Sequence, residues 1–171
     1  MPQAHTERPP TQIVVAMADM KVSSRKRDTL ATFALGSCLG ITVWDPLKHV
    51  GGMVHIMLPY ANRGADRPPP EPAHYLDTGL PALLAACREV GGSHDRFVLK
   101  AAGGAAPNLS ATRGDHFQIG QRNIEAMHLL LAKLGLRLAG SDLGGSESRN
   151  MALDVGTGRV RVWGNAGNRD L

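Results

Sequence analysis

Leu39-Gly40-Ile41-Thr42-Val43-Trp44 and Val50-Gly51-Gly52-Met53-Val54-His55-Ile56-Met57-Leu58 are strand-type runs separated by Asp45-Pro46-Leu47-Lys48. Proline in that linker presets the φ of about −65° that a turn requires, so the three pieces read as a β-hairpin. A hairpin fixes which side chains share a sheet face, because alternate residues point to opposite sides. With an even number of loop residues, Cys38 at the entrance of the first strand faces either His55 or Met57. In both cases His55 projects from the same face as Cys38. Direct pairing would put the β-carbons roughly 5 Å apart and the diagonal arrangement about 7–8 Å apart, distances an imidazole can bridge to sulfur. An odd loop without a bulge would put the two on opposite faces.

Working outward, Gln12 to Met17 is another strand, Lys21 to Asp28 a charged connection, and structure resumes near Thr29. Tyr60 to Ala73 holds Pro68, Pro69, Pro70 and Pro72, which remove backbone donors and disfavour helix, so it reads as an exposed extended loop. Asp77 suits a helix N-cap. Leu80, Leu83, Leu84, Cys87 and Val90 follow at helical intervals, and Gly91-Gly92 stops the helix. Phe97 to Ala101 is a short strand, followed by a glycine-rich polar loop from Gly103 to Asp115. A second amphipathic helix carries Ile124, Met127, Leu130, Leu131 and Leu134, with Gly135 as its C-cap. Leu136 to Ala139, Asn150 to Val155 and Arg159 to Trp163 read as strands, the last two joined across Gly156-Thr157-Gly158. Strands outnumber helices, and the first and last groups are hairpins rather than βαβ units. The expected class is α+β, a layered sandwich of largely antiparallel or mixed sheet flanked by two main helices.

Composition narrows the function. The chain has 171 residues, 43% hydrophobic and 20% charged, and is expected to be one domain over residues 12–171 behind a flexible leader at 1–11. The leader has no apolar core, so a secretory signal is not expected, and no apolar run approaches the length of a membrane span. Net charge is +4 from 19 Lys plus Arg and 15 Asp plus Glu. The arginines are dispersed without interleaved aromatics, which argues against nucleic acid as partner. Two cysteines make too few bridges for a disulfide framework, and reduced thiols in a cytoplasmic protein are expected. His49, His74, His94, His116 and His128 lack metal-ligand spacing, so a metal site is not expected.

The two cysteines differ in setting. Cys38 stands in Leu35-Gly36-Ser37-Cys38-Leu39-Gly40, where small neighbours leave a thiol accessible and backbone amides free to face a ligand. Cys87 lies on the apolar stripe of a helix, where a cysteine behaves as a small hydrophobe. A thiol with an ordinary pKa of about 8.5 needs a nearby base or cation to attack at neutral pH, and the hairpin offers His55. A third group usually orients such an imidazole through its other nitrogen. Thr32 is a candidate, as are Thr42, Ser37 and Asp45.

Thr32-Phe33-Ala34-Leu35-Gly36-Ser37-Cys38, Trp44-Asp45-Pro46 and Gly51-Gly52-Met53-Val54-His55-Ile56-Met57-Leu58-Pro59 together resemble the signature of the CheD family. The resemblance continues through Tyr75-Leu76-Asp77-Thr78, Gly103-Gly104-Ala105, Ile119-Gly120-Gln121-Arg122-Asn123 and Asp142-Leu143-Gly144-Gly145. Pro107 and Ser148 depart from the family pattern, in loops. The resemblance implies a cysteine hydrolase similar in fold to bacterial toxin deamidases. It would convert particular glutamines of methyl-accepting chemoreceptors to glutamate, with de-esterification in some members. It assigns the catalytic triad to Cys38, His55 and Thr32, and implies a CheC-type phosphatase as partner. Two other readings stand beside it: a non-catalytic regulator of such a phosphatase, and a cysteine amidase or esterase acting on another protein.

Overall fold

The hairpin is the centre of a sheet, and its register answers the parity question. In a computed structural model that describes residues 10–61, 71–106 and 119–171, β4 (Leu39–Asp45) pairs antiparallel with β5 (Val50–Ile56), from Leu39↔Ile56 to Asp45↔Val50. The connection is therefore residues 46–49, an even number. Asp45 Oδ1 accepts the amides of Leu47 at 2.9 Å and Lys48 at 3.1 Å, so the aspartate side chain closes the turn.

The other strands and α-helices are β1 (Thr11–Val14), β2 (Met20–Ser23), β3 (Asp28–Leu35), α1 (Leu76–Glu89), β6 (Val98–Gly103), α2 (Ile119–Lys133), β7 (Leu138–Leu143), β8 (Arg149–Asp154), β9 (Val160–Gly164) and β10 (Gly167–Asp170). They form two five-stranded sheets, ordered β2-β5-β4-β6-β7 and β1-β3-β8-β9-β10. Both are mixed: β1 runs parallel to β3 and β7 parallel to β6, while the remaining pairs are antiparallel. The fold is α+β, with mixed sheet and two main helices as the sequence suggested; among the described residues the sheets number two.

The layers run helices, sheet, sheet. Leu39, Ile41, Val43, Val54 and Ile56 point from the hairpin into a core shared with Leu80, Leu83, Leu84 and Cys87 of α1 and Ala126, Met127 and Leu131 of α2. On the opposite face Met53 and Ala102 meet Leu30, Leu35, Met151, Leu153, Val160 and Val162 of the second sheet. Covered on both sides, β5 is buried along its whole length, which explains its apolar, glycine-containing composition. The sheets approach closely at Gly40: a β-carbon there would lie 2.8 Å from Leu35 Cδ1 and 3.1 Å from Met151 Sδ.

Several elements depart from the sequence reading. Met20–Ser23 lies in and beside the charged connection yet forms β2, because Met20 and Val22 alternate with exposed Lys21 against β5. The polar segment Gly167–Asp170 adds β10, paired to β9 and tied by Arg159 to Asp170 at 2.8 Å. β6, α2 and β7 make a βαβ unit, which the hairpin pattern of the termini did not suggest. Tyr75, not Asp77, is the N-cap of α1; Asp77 sits in its first turn and accepts the Ala61 amide at 2.9 Å. Among the described residues no helix is long and apolar enough to cross a membrane. Most of the expected leader, the prolines at 68–70, Pro107 and His116 lie outside the described residues.

Candidate active site

Thr32 and His55 meet across the gap between the sheets. Thr32 is on β3 opposite Met151, His55 on β5 opposite Gly40, and both are buried. A β-carbon at Gly40 would lie 3.4 Å from Thr32 Cγ2, so the glycine leaves that face open to the threonine. His55 is fixed through its backbone as well: its N–H donates to Asp19 O at 3.0 Å and its carbonyl accepts Ala18 N–H at 3.1 Å.

A bulge makes Thr32 available. Thr32 and Leu35 both lie against Gly40 although three residues apart, whereas a regular strand would point them to opposite faces. The register of β3 on β8 shifts between them, and Phe33 and Ala34 are exposed. Ala34 takes φ of 56°, in the left-handed region, and its amide donates to Asn150 Oδ1 at 3.0 Å. The extra residue turns both Thr32 and Leu35 inward and starts the chain toward β4.

The hydrogen bonds fix the tautomer of His55. Thr32 Oγ1 lies 2.8 Å from Val15 O and 2.8 Å from His55 Nδ1. A carbonyl only accepts, so the single hydroxyl proton goes to Val15 O, and Nδ1–H must donate to Thr32 Oγ1. Nε2 is then the unprotonated nitrogen, and it is buried with no hydrogen-bond partner among the described residues. A buried imidazole with a bare, unpaired Nε2 is arranged to take a proton.

Cys38 is half-buried in the loop of residues 36–38 that crosses from β3 to β4. One step beyond Leu39↔Ile56, the hairpin register sets it against Met57, diagonal to His55 and on the same face. Each carbonyl of the loop is held from behind. Gly36 O accepts Ala105 N–H at 2.8 Å, Ser37 O accepts Asn123 Nδ2 at 2.9 Å, and Cys38 O accepts Gly104 N–H at 2.8 Å. Burial pushes the Cys38 thiol above its ordinary pKa and the His55 imidazole below its own. Both shifts favour the neutral forms, a thiol and an uncharged imidazole.

Of the other candidates for the orienting group, Asp45 is at the far end of the hairpin, bound to Arg96, and Thr42 donates to Lys100 O at 3.2 Å. Ser37 contributes its carbonyl to Asn123. Asn123, fully buried and bonded to the loop, is a residue that spacing alone did not single out; its place on a polar-looking helix turn gave no signal. Cys87 is fully buried on α1, its sulfur close against Gly52, and burial pushes its thiol up to about 12.

The chain as a whole is similar to known proteins. Residues 57–163 match the family model described as "CheD chemotactic sensory transduction", a span that begins just after His55. Several relatives carry the name "Probable chemoreceptor glutamine deamidase CheD". One from Symbiobacterium thermophilum is 40% identical over 86% of this chain and 89% of its own length. One from Solibacter usitatus is 38% identical over 94% and 93%, and one from Desulfitobacterium hafniense 42% identical over 88% and 91%. A solved structure of a Neisseria meningitidis protein, NMB0706, covers 79% of this chain and 60% of that one at 13% identity and a TM-score of 0.39, too low to bear on function.

Proposed function

The chain belongs to the CheD family, and from that premise we propose that it hydrolyses glutamine side chains of methyl-accepting chemoreceptors to glutamate through a thioester on Cys38. The observation that carries this reading is the Val15–Thr32–His55 hydrogen-bond chain, which leaves Nε2 bare, with no partner among the described residues, on the face shared with Cys38. His55 Nε2 takes the thiol proton while sulfur bonds to the carboxamide carbon, giving a tetrahedral intermediate. The same proton passes to the departing nitrogen, and ammonia leaves a thioester. Nε2 then deprotonates water as its oxygen attacks the thioester carbon, and collapse releases glutamate and restores the thiol. Thr32 holds the tautomer throughout. Every step uses side chains and water, so the proposal includes no cofactor.

The substrate would be the cytoplasmic region of the receptor, with this protein acting in the cytoplasm and adjusting receptor adaptation. A CheC-type phosphatase is included as a partner. The experiment is incubation with a purified chemoreceptor cytoplasmic fragment, reading glutamine-to-glutamate conversion by mass spectrometry and ammonia release in parallel. Conversion by the wild type and none by Cys38→Ala is expected. Tight binding of a CheC-type phosphatase with no conversion of any receptor fragment would instead favour the regulator reading.

A further inference from the structure

The Cys38 loop presents two amides that the fold leaves unused. A trans peptide points its N–H opposite to the carbonyl of the preceding residue, and no described peptide is cis. Gly36 O is directed to Ala105 N–H, so the Ser37 N–H points away from that strand end. Ser37 O is directed to Asn123, so the Cys38 N–H points away from α2. Neither amide has an acceptor among the described residues. Buried or half-buried amides normally find one.

The ladder between β4 and β6 shows why the Cys38 amide stays unpaired. Paired residues run from Trp44↔Val98 to Leu39↔Gly103, and the next step would exchange two bonds between Cys38 and Gly104. One is made, Gly104 N–H to Cys38 O at 2.8 Å; the return bond is missing. Gly103 and Gly104 take φ of 115° and 68°, which turns the chain, and Gly104 O lies against Gly120 in the first turn of α2. A side chain at Gly103 would put its β-carbon against the Cys38 carbonyl, so glycine is required there.

Asn123 completes the arrangement. It is fully buried, and its Nδ2 donates to Ser37 O at 2.9 Å and Met57 O at 3.0 Å. Both neighbours are carbonyls, so the NH2 group must face them, and both its protons are used. Oδ1 has no partner among the described residues, so the amide serves as a double donor. One acceptor is in the nucleophile loop and the other lies two residues beyond His55. Asn123 thereby joins the loop that carries Cys38 to the strand that carries the base.

We infer that Asn123 is a positioning residue that fixes the Ser37–Cys38 peptide so that the Cys38 N–H donates to the oxyanion of the tetrahedral intermediate. Donors aimed at a developing oxyanion are among the largest contributions to acyl transfer. The inference rests on Cys38 being the nucleophile. It adds that α2, through one amide, sets the orientation of the oxyanion donor.

The test separates oxyanion stabilisation from thiol reactivity. Alkylation of Cys38 by iodoacetamide is a displacement at carbon that forms no oxyanion, whereas deamidation of a glutamine-bearing chemoreceptor cytoplasmic fragment does. Asn123→Asp keeps the volume but replaces the donor with an acceptor facing two carbonyls. For folded Asn123→Asp, kcat should fall by about 10–100-fold while KM and the alkylation rate stay within about threefold of wild type. An unchanged kcat, or an alkylation rate that falls by the same factor as kcat, would overturn the inference. Asn123→Ala serves if the aspartate variant does not fold. The wild type supplies an independent reading: a receptor peptide with a γ-semialdehyde in place of the glutamine side chain should add the Cys38 thiol across its carbonyl, the proton ending on the new hydroxyl. The Cys38 amide proton should then move downfield in the NMR spectrum, and an unmoved Cys38 amide in a formed adduct would count against the donor. Turnover or adduct formation by Cys38→Ala would fail the nucleophile assignment instead, a result distinguishable from failure of the Asn123 inference alone.

Discussion

The two ends of the β4–β5 hairpin carry polar groups under opposite conditions. At the turn end, Asp45 is fully buried and every lone pair is engaged: Leu47, Lys48 and Ser93 donate backbone amides and Arg96 a two-nitrogen fork. At the open end, His55 Nε2 and the amides of Ser37 and Cys38 have no partner among the described residues. Both ends are built from the same strands with the same register, so the contrast is not one of local propensity. A satisfied buried network holds a turn in place, whereas unsatisfied donors and acceptors at one point await a ligand. Charge follows the same division. Burial alone would raise the Asp45 carboxyl, but Arg96 and the three amides outweigh it and bring it to about 2. His55 and Cys38 have no such charge partner and shift toward their neutral forms.

The largest effects belong to the open end. Cys38→Ala and His55→Ala should each lower receptor deamidation by roughly 10³-fold or more, and the double variant should be little worse than either, because members of such a unit are not additive. Thermal unfolding midpoints should stay near wild type; a collapse of the fold in either would assign these side chains to the core instead. Thr32→Val should cost less, about 10–100-fold in kcat, since it leaves the base in place and removes only what orients it. Its thiol alkylation should fall in parallel, as a bare Nε2 is no longer enforced.

The turn end should answer in stability. Asp45→Ala leaves the Arg96 fork and three amides without their acceptor, and breaking a buried ion pair costs about 3–5 kcal/mol, at the low end here because Arg96 is about a third exposed. Activity per folded molecule should be retained. The sign with pH follows from a folded pKa below the ordinary 3.8: the stabilisation is complete above 3.8 and is lost as pH falls toward about 2. Denaturant midpoints of wild type and Asp45→Asn should therefore converge in that window. At the open end the sign concerns activity: His55 stays neutral to lower pH than an ordinary histidine, so the acid limb of kcat/KM should lie below about 6.5. The smallest effect is Cys87→Ala, expected to cost about 1 kcal/mol of stability for the lost packing and nothing in turnover.

Much of this was legible in the residues, for identifiable reasons. The hairpin and the shared face of Cys38 and His55 follow from strand alternation and loop parity, which are local. α1 and α2 follow from apolar spacing. Other features depend on partners distant in sequence. Parallel pairing of β6 with β7 leaves no mark within either strand, and β10 forms from four exposed residues through backbone pairing alone. The bulge at Phe33–Ala34 cannot be read from alternation, yet it alone turns both Thr32 and Leu35 inward. By spacing Thr32 is one of several candidates and only the resemblance assigns it; the bond to Val15 O, which decides the tautomer, involves a carbonyl that any residue would carry. Asn123 stands in the motif Ile119-Gly120-Gln121-Arg122-Asn123, but nothing in an amphipathic helix announces that one amide turns inward.

The most direct test of the account is to acid-quench wild-type protein during turnover of a chemoreceptor cytoplasmic fragment and map any acyl adduct by mass spectrometry. A hydroxylamine-labile thioester joining the receptor glutamine position to the peptide that contains Cys38 is the predicted result. Turnover without such an adduct in wild type, and with Cys38→Ala still active, would contradict it.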